Sequence, residues 1–159
     1  MSATTNALLE RRVVSPDPSA TSALGLALAE AARPGDLICL WGDLGAGKTH
    51  LAKAFGAGLG VIDTINSPSF ILMAEYQGRL PLFHVDLYRL ADATDVFAGG
   101  LIDDRQASGV TIVEWPDRMV AVLPEERLDV RIDGAGDAPR TITVRAGTPE
   151  LRRYLDAIP

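Results

Sequence analysis

The chain reads as an α/β domain whose sheet mixes parallel and antiparallel strands and is flanked by helices, and three observations carry that reading. A continuous apolar run, Leu37 to Trp41, leads into a glycine-rich turn and then an alanine-rich stretch of helical spacing, the strand, loop and helix order of a parallel sheet. Two strand-like stretches, Phe70 to Tyr76 and Leu80 to Tyr88, flank Gln77-Gly78-Arg79 as a hairpin would, so one pair is antiparallel. A further apolar run, Val110 to Val113, ends abruptly in Glu114 as a short buried strand would.

In chain order, Ser15-Pro16-Asp17-Pro18-Ser19 forms a loop and helix start, after which Leu24, Ala27, Leu28, Ala31 and Ala32 keep helical spacing until Pro34-Gly35. Lys48 to Leu59 is the helix after the glycine-rich turn and stops at Gly60. Pro116 begins a helix that runs out before Pro124. Leu128 to Ile132 and Thr141 to Val144 make two strands across the turn-rich 133–137 segment, and a last helix covers Pro149 to Ala157. No repeat or low-complexity linker divides the chain, so residues 1–159 are expected to form one domain.

Composition narrows the function classes. The hydrophobic share of 47% and charged share of 23% suit a globular protein, and no apolar run reaches the roughly 18–20 residues of a membrane span. With no export signal in the first ten residues, a cytoplasmic location is expected. The single cysteine, Cys39, lies in the apolar run and reads as a small core residue. A formal charge of -6 disfavours a stand-alone nucleic-acid binder, which needs cations to displace phosphate counterions.

The chemistry concentrates in Gly42-Asp43-Leu44-Gly45-Ala46-Gly47-Lys48-Thr49, a G-x-x-x-x-G-K-[ST] phosphate loop placed between a buried strand and a helix. Backbone N–H groups of Leu44, Gly45, Ala46 and Gly47, with the helix N-terminus behind them, suit phosphate oxygens. Lys48, expected to be an exposed ligand, would reach the β- and γ-phosphates, and the Thr49 hydroxyl would face Mg2+. His50 would offer its backbone N–H, and its side chain and that of Lys53 read as helix surface. Asp86 and Glu114, each at the end of an apolar strand, are the acids available to the metal site. No Asn-Lys-x-Asp segment for reading guanine occurs, which favours ATP. Trp115 reads mainly as core packing, and Arg89 as a partner either for an acid of the fold or for another surface.

Four stretches together resemble the bacterial TsaE family of P-loop NTPase fold: the phosphate loop, Asn66-Ser67-Pro68-Ser69-Phe70, Phe83-His84-Val85-Asp86-Leu87-Tyr88-Arg89-Leu90, and Val113-Glu114-Trp115-Pro116. The resemblance implies an ATPase needed for N6-threonylcarbamoyladenosine in tRNA, with ATP and Mg2+ as cofactors. It implies Thr49 and Glu114 at the metal, Asp86 as essential to hydrolysis, and the loop around Ser69 as a sensor of the γ-phosphate; Asp86, Glu114 and Lys48 are the residues expected to be catalytic. Pro18 and Arg140 would approach the base and ribose. The implied partners are TsaD and TsaB, whose threonylcarbamoyl-transferase complex the ATPase resets, with tRNA met only through that complex. The family more often carries Thr at the positions of Ser69 and His50. A small-molecule kinase is the competing reading, but residues 80–110 hold Arg89 and Arg105 without the dense arginine lid such enzymes use. A nucleotide-gated binding module with negligible turnover is a third.

Overall fold

The computed structural model describes residues 9–66, 73–90 and 104–159, apart from the side chain of Arg105. Its strands are β1 (Glu10–Ser15), β2 (Leu37–Trp41), β3 (Met73–Tyr76), β4 (Leu82–Asp86), β5 (Val110–Glu114), β6 (Leu128–Asp133) and β7 (Arg140–Ala146). The helices are α1 (Pro18–Glu30), α2 (Lys48–Gly58) and the short α3 (Arg152–Asp156), with 3-10 segments at Asp104–Ser108, Pro116–Val122 and Pro149–Leu151. The strands join in the order β1-β7-β6-β2-β5-β4-β3. The inner four, β6, β2, β5 and β4, are parallel, while β3, β7 and β1 add antiparallel strands outside them. This is the mixed sheet expected, hairpin included.

Period-two alternation assigns the two faces. Ile38, Leu40, Leu82, Ile112 and Val130 point toward Leu28 of α1, Leu51 and Phe55 of α2, and Tyr154 of α3. Leu37, Cys39, Val85 and Val113 point to the other face, against Met119. Cys39 is fully buried, and burial pushes its thiol pKa far up, so it is an inert core residue as expected. Helices α1 and α2 pack closely: a Cβ on Gly25 would lie 2.8 Å from the Ala54 Cβ and 2.9 Å from the Leu51 carbonyl oxygen.

Several boundaries differ from the sequence expectation for local reasons. β1 was not expected, because Glu10-Arg11-Arg12-Val13-Val14-Ser15 lacks an apolar run; its register comes from pairing with β7, Val13 opposite Ile142. β4 ends at Asp86 rather than Tyr88, since the Asp86 carboxylate accepts the Tyr88 backbone N–H at 2.9 Å and turns the chain. The helix expected from Pro116 is a 3-10 segment kinked at Met119, where φ is -140°. The terminal helix opens as a 3-10 turn before α3. Residues 70–72, where the β3 stretch was expected to start, lie outside the described residues. Among the described residues no helix is long and apolar enough to cross a membrane.

Candidate nucleotide and metal site

Strand register brings the phosphate loop and both acids to one edge. Leu40, two residues before the loop, is opposite Glu114, and Glu114 is in turn opposite Asp86. All three strands present their carboxyl ends here, the edge where open α/β sheets bind ligands. Gly47 caps α2 with φ 114°, a left-handed conformation that glycine adopts without a Cβ clash. Arg140, at the start of β7, donates from Nε to the Ala46 carbonyl at 3.0 Å and from Nη2 to the Gly45 carbonyl at 3.3 Å. It also donates to the carbonyls of Gly136 and Ala138, so one guanidinium ties the β6–β7 turn to the phosphate loop.

Glu114 is almost fully buried, and three polar contacts orient it. The Thr49 hydroxyl lies 2.9 Å from Oε1 and 3.1 Å from Oε2. His84 Nε2 lies 2.6 Å from Oε2, and because a carboxylate only accepts, the imidazole donates. His84 is completely buried, and its Nδ1 has no hydrogen-bond partner among the described residues. His84 and Asp86 are two apart on β4 and so face the same side, toward α2, as Glu114 does. Sequence reading had passed over His84; its signal was that period-two relation to Asp86.

Lys48 departs from its expected exposure, being 95% buried at 5% relative exposure. Its Nζ lies 3.7 Å from the centre of the Trp115 ring and donates to the Gly42 and Asp43 carbonyls. Burial lowers the ammonium pKa, while Glu114, Asp117, Asp86 and Asp43 pull it back up. The chain thus holds the cation against a ring face and two carbonyls, within the field of four carboxylates. Trp115 takes φ 61° and ψ 51°, a left-handed conformation that is an outlier for so bulky a residue. Its ring contacts Tyr88 at 5.0 Å and the Arg118 guanidinium at 5.5 Å, and its other contacts are with the Met119 face of the core. Trp115 therefore packs in the core and also shapes the site.

Two adjoining cavities follow the loop. One, of about 360 Å³, is bounded by Pro18, Thr21, Gly45, Ala46, Gly47, His50 and Arg140. The other, of about 420 Å³, is bounded by Leu44, Lys48, Thr49, Asp86, Glu114 and Trp115, and shares Gly45, Gly47 and His50 with the first. Pro18, the 44–50 segment, Asp86, Glu114 and Arg140, expected from sequence at the nucleotide or the metal, therefore line these two spaces, with one expected site residue missing. The exception is Ser69, which with the Ser67–Phe70 loop lies outside the described residues. The His50 side chain is exposed but not idle: its Nε2 is 2.7 Å from Ser22 Oγ and 3.0 Å from the Pro18 carbonyl oxygen. Lys53 is exposed.

The oxygens of Thr49 and Glu114 are hard donors of the kind Mg2+ prefers. Among the described residues no group of three or more His, Cys, Asp or Glu could hold a metal alone. A cation here would therefore share its coordination with phosphate oxygens and water, the usual habit of Mg2+ at nucleotide sites.

Residues 15–142 match the family profile described as "Threonylcarbamoyl adenosine biosynthesis protein TsaE". The tRNA threonylcarbamoyladenosine biosynthesis protein TsaE of Bacillus subtilis (strain 168) is 44% identical over 131 residues, 82% of each chain. The protein of that name in Treponema pallidum (strain Nichols) is 38% identical over 84% of this chain and 98% of its own length. A crystal structure of Bacillus subtilis YdiB superposes with a TM-score of 0.76 at 35% identity, covering 92% of both chains. With the phosphate loop, the two strand-end acids and the matching fold all lying in the matched region, the chain belongs to the TsaE family.

Proposed function

We propose that this protein is a magnesium-dependent ATPase, one domain over 1–159, that serves N6-threonylcarbamoyladenosine modification of tRNA in the cytoplasm by binding and resetting the TsaD-TsaB complex. The observation that carries the ATPase reading is the meeting of Thr49, Glu114 and Asp86 at the mouth of the phosphate loop. Bound between Thr49, Glu114 and phosphate, Mg2+ would supply charge neutralisation to the phosphoryl group.

The chain's own residues account for the rest. Arg140 keeps the phosphate loop in shape through its carbonyls, and the first cavity, with Pro18 and Arg140 on its walls, takes the base and ribose. Lys48 leaves the Gly42 and Asp43 carbonyls for phosphate oxygens, a favourable exchange because a charged acceptor makes the stronger hydrogen bond. Asp86 stands beside Glu114 at a water-accessible cavity, placed to orient an attacking water or accept its proton. The side chain of His84 holds Glu114 so that its carboxylate does not need to find its orientation at each turnover.

The acidic balance of the chain, with a formal charge of -6, supports action on tRNA through partners rather than by direct grip. A γ-phosphate sensor around Ser69 would give ATP and ADP states different affinities for TsaD-TsaB, and a ligand shifts a partner equilibrium only through such a difference. Partner affinity measured with a non-hydrolysable ATP analogue and with ADP tests this. Equal affinities would remove the switch.

A further inference from the structure

The N-terminal part of α1 and the first turn of α2 meet beside the phosphate loop, and one side chain joins them. His50, on α2, places Nε2 2.7 Å from Ser22 Oγ and 3.0 Å from the carbonyl oxygen of Pro18, both on α1. In the tautomer with its proton on Nε2 the ring donates to the Pro18 carbonyl, which can only accept, and Ser22 Oγ lies within reach of the same N–H. The rest of that corner is already braced. Ser15 and Thr21 hydroxyls are 2.6 Å apart in the interior, Ser15 Oγ also donates to the Asp17 carbonyl at 2.9 Å, and the Asp17 carboxylate caps α1 through the Ala20 N–H at 2.9 Å. Ser15, Pro18 and Thr21 line the 360 Å³ cavity together with Gly45, Ala46 and Gly47 of the phosphate loop. His50 touches both cavities, and among the described residues its ring is the side chain that bridges α1 to the start of α2 beside the loop.

We propose that His50 is a positioning residue for nucleoside recognition: its ring fixes the Pro18 wall at a set distance from the phosphate loop, and so sets how well a base and ribose fit while leaving phosphate capture to the loop itself. The inference rests on the nucleotide-binding reading above. It separates two parts of one ligand, because the hydrogen bonds of the ring go to Pro18 and Ser22 and not to Lys48, Thr49 or Glu114.

Inorganic tripolyphosphate carries the phosphates without the nucleoside, so it serves as the second probe. Binding of ATP and of tripolyphosphate, each with Mg2+, is to be measured by calorimetry for the wild type, His50→Ala and His50→Gln. His50→Ala is expected to weaken ATP about tenfold, the scale of one or two lost hydrogen bonds, and to change tripolyphosphate less than twofold. His50→Gln, which keeps a donor at a similar reach, is expected to recover most of the ATP affinity. The His50 side chain is exposed, so all three proteins should melt at similar temperatures. Equal weakening of both ligands in His50→Ala would overturn the inference and make the ring a direct phosphate contact; so would unchanged ATP affinity, or a glutamine variant no better than alanine. A wild type that binds neither ligand would instead overturn the nucleotide-site reading, and the inference with it.

Discussion

Two carboxylates lie at opposite ends of the parallel core, and their surroundings differ in a way that separates stability from function. Asp36 immediately precedes β2; Glu114 closes β5 beside the other end of β2. Asp36 is paired with a cation of its own chain, and its donors converge on Oδ2. It accepts from the Arg153 guanidinium, from the Tyr154 hydroxyl and from the Arg33 N–H at 2.9 Å, while its backbone carbonyl accepts the Thr111 N–H at 3.0 Å. Burial and the neighbouring Asp36 both push the Tyr154 pKa up, which keeps that hydroxyl a permanent donor. Glu114, by contrast, is held by a neutral hydroxyl and an imidazole, and among the described residues it pairs with no Arg or Lys. Lys48, which feels the charge of Glu114, is engaged with carbonyls and a ring. One acid has a guanidinium of its own chain beside it; the other, among the described residues, is held without one.

The sharpest break of this comparison is at Lys48. Lys48→Ala should weaken ATP by about 100-fold and abolish measurable hydrolysis in a folded protein, because it removes the charged donor that the loop holds for phosphate. Calorimetry and circular dichroism on one preparation check both halves. Glu114→Gln comes next. Hydrolysis should fall on the order of 100-fold or more with ATP affinity within a few-fold, since the lost charge acts on the chemical step. If turnover and magnesium dependence survive, Glu114 is a structural acid like Asp36 and Asp86 takes the leading role.

Asp36→Asn tests the other end. It should cost about 2–3 kcal/mol in urea unfolding, at the lower side of a broken buried ion pair because the side chains of Arg153 and Asp36 retain some exposure, and leave ATP affinity within about twofold. A loss of ATP affinity there would mean that the two ends of the sheet are coupled. The smallest effect is expected at Gly25→Ala, about 1 kcal/mol: overpacking against Leu51 and Ala54 outweighs the helix propensity that alanine adds. A stabilised variant would show that α1 and α2 can move apart.

Much of the functional end was legible because its signals are local. The phosphate loop, its flanking strand and helix, and two acids at strand ends are each read from consecutive residues. The contacts that give those residues their state are not local. His84 reaches Glu114 across 30 positions, and a histidine inside an apolar run reads in sequence as core. Lys48 is buried beside the ring of Trp115, 67 residues later, a residue in a left-handed conformation that no propensity suggests. β1 escaped for a related reason: three charged residues followed by Val13-Val14-Ser15 show no alternation in sequence, and the strand gains meaning only against β7. Arg140 was placed near the nucleotide by resemblance alone, whereas its observed hydrogen bonds go to carbonyls of the phosphate loop and the β6–β7 turn.

The proposed function turns on Glu114, at the carboxyl end of the sheet, serving a hydrolytic step that the transferase complex needs. The direct measurement is tRNA threonylcarbamoyladenosine formed per TsaD-TsaB complex over time, with wild type or Glu114→Gln added in excess together with ATP and Mg2+. The wild type should carry each complex through many turnovers, and Glu114→Gln, though it binds ATP, should stall it near one. Equal repeated turnover with both proteins would contradict the account.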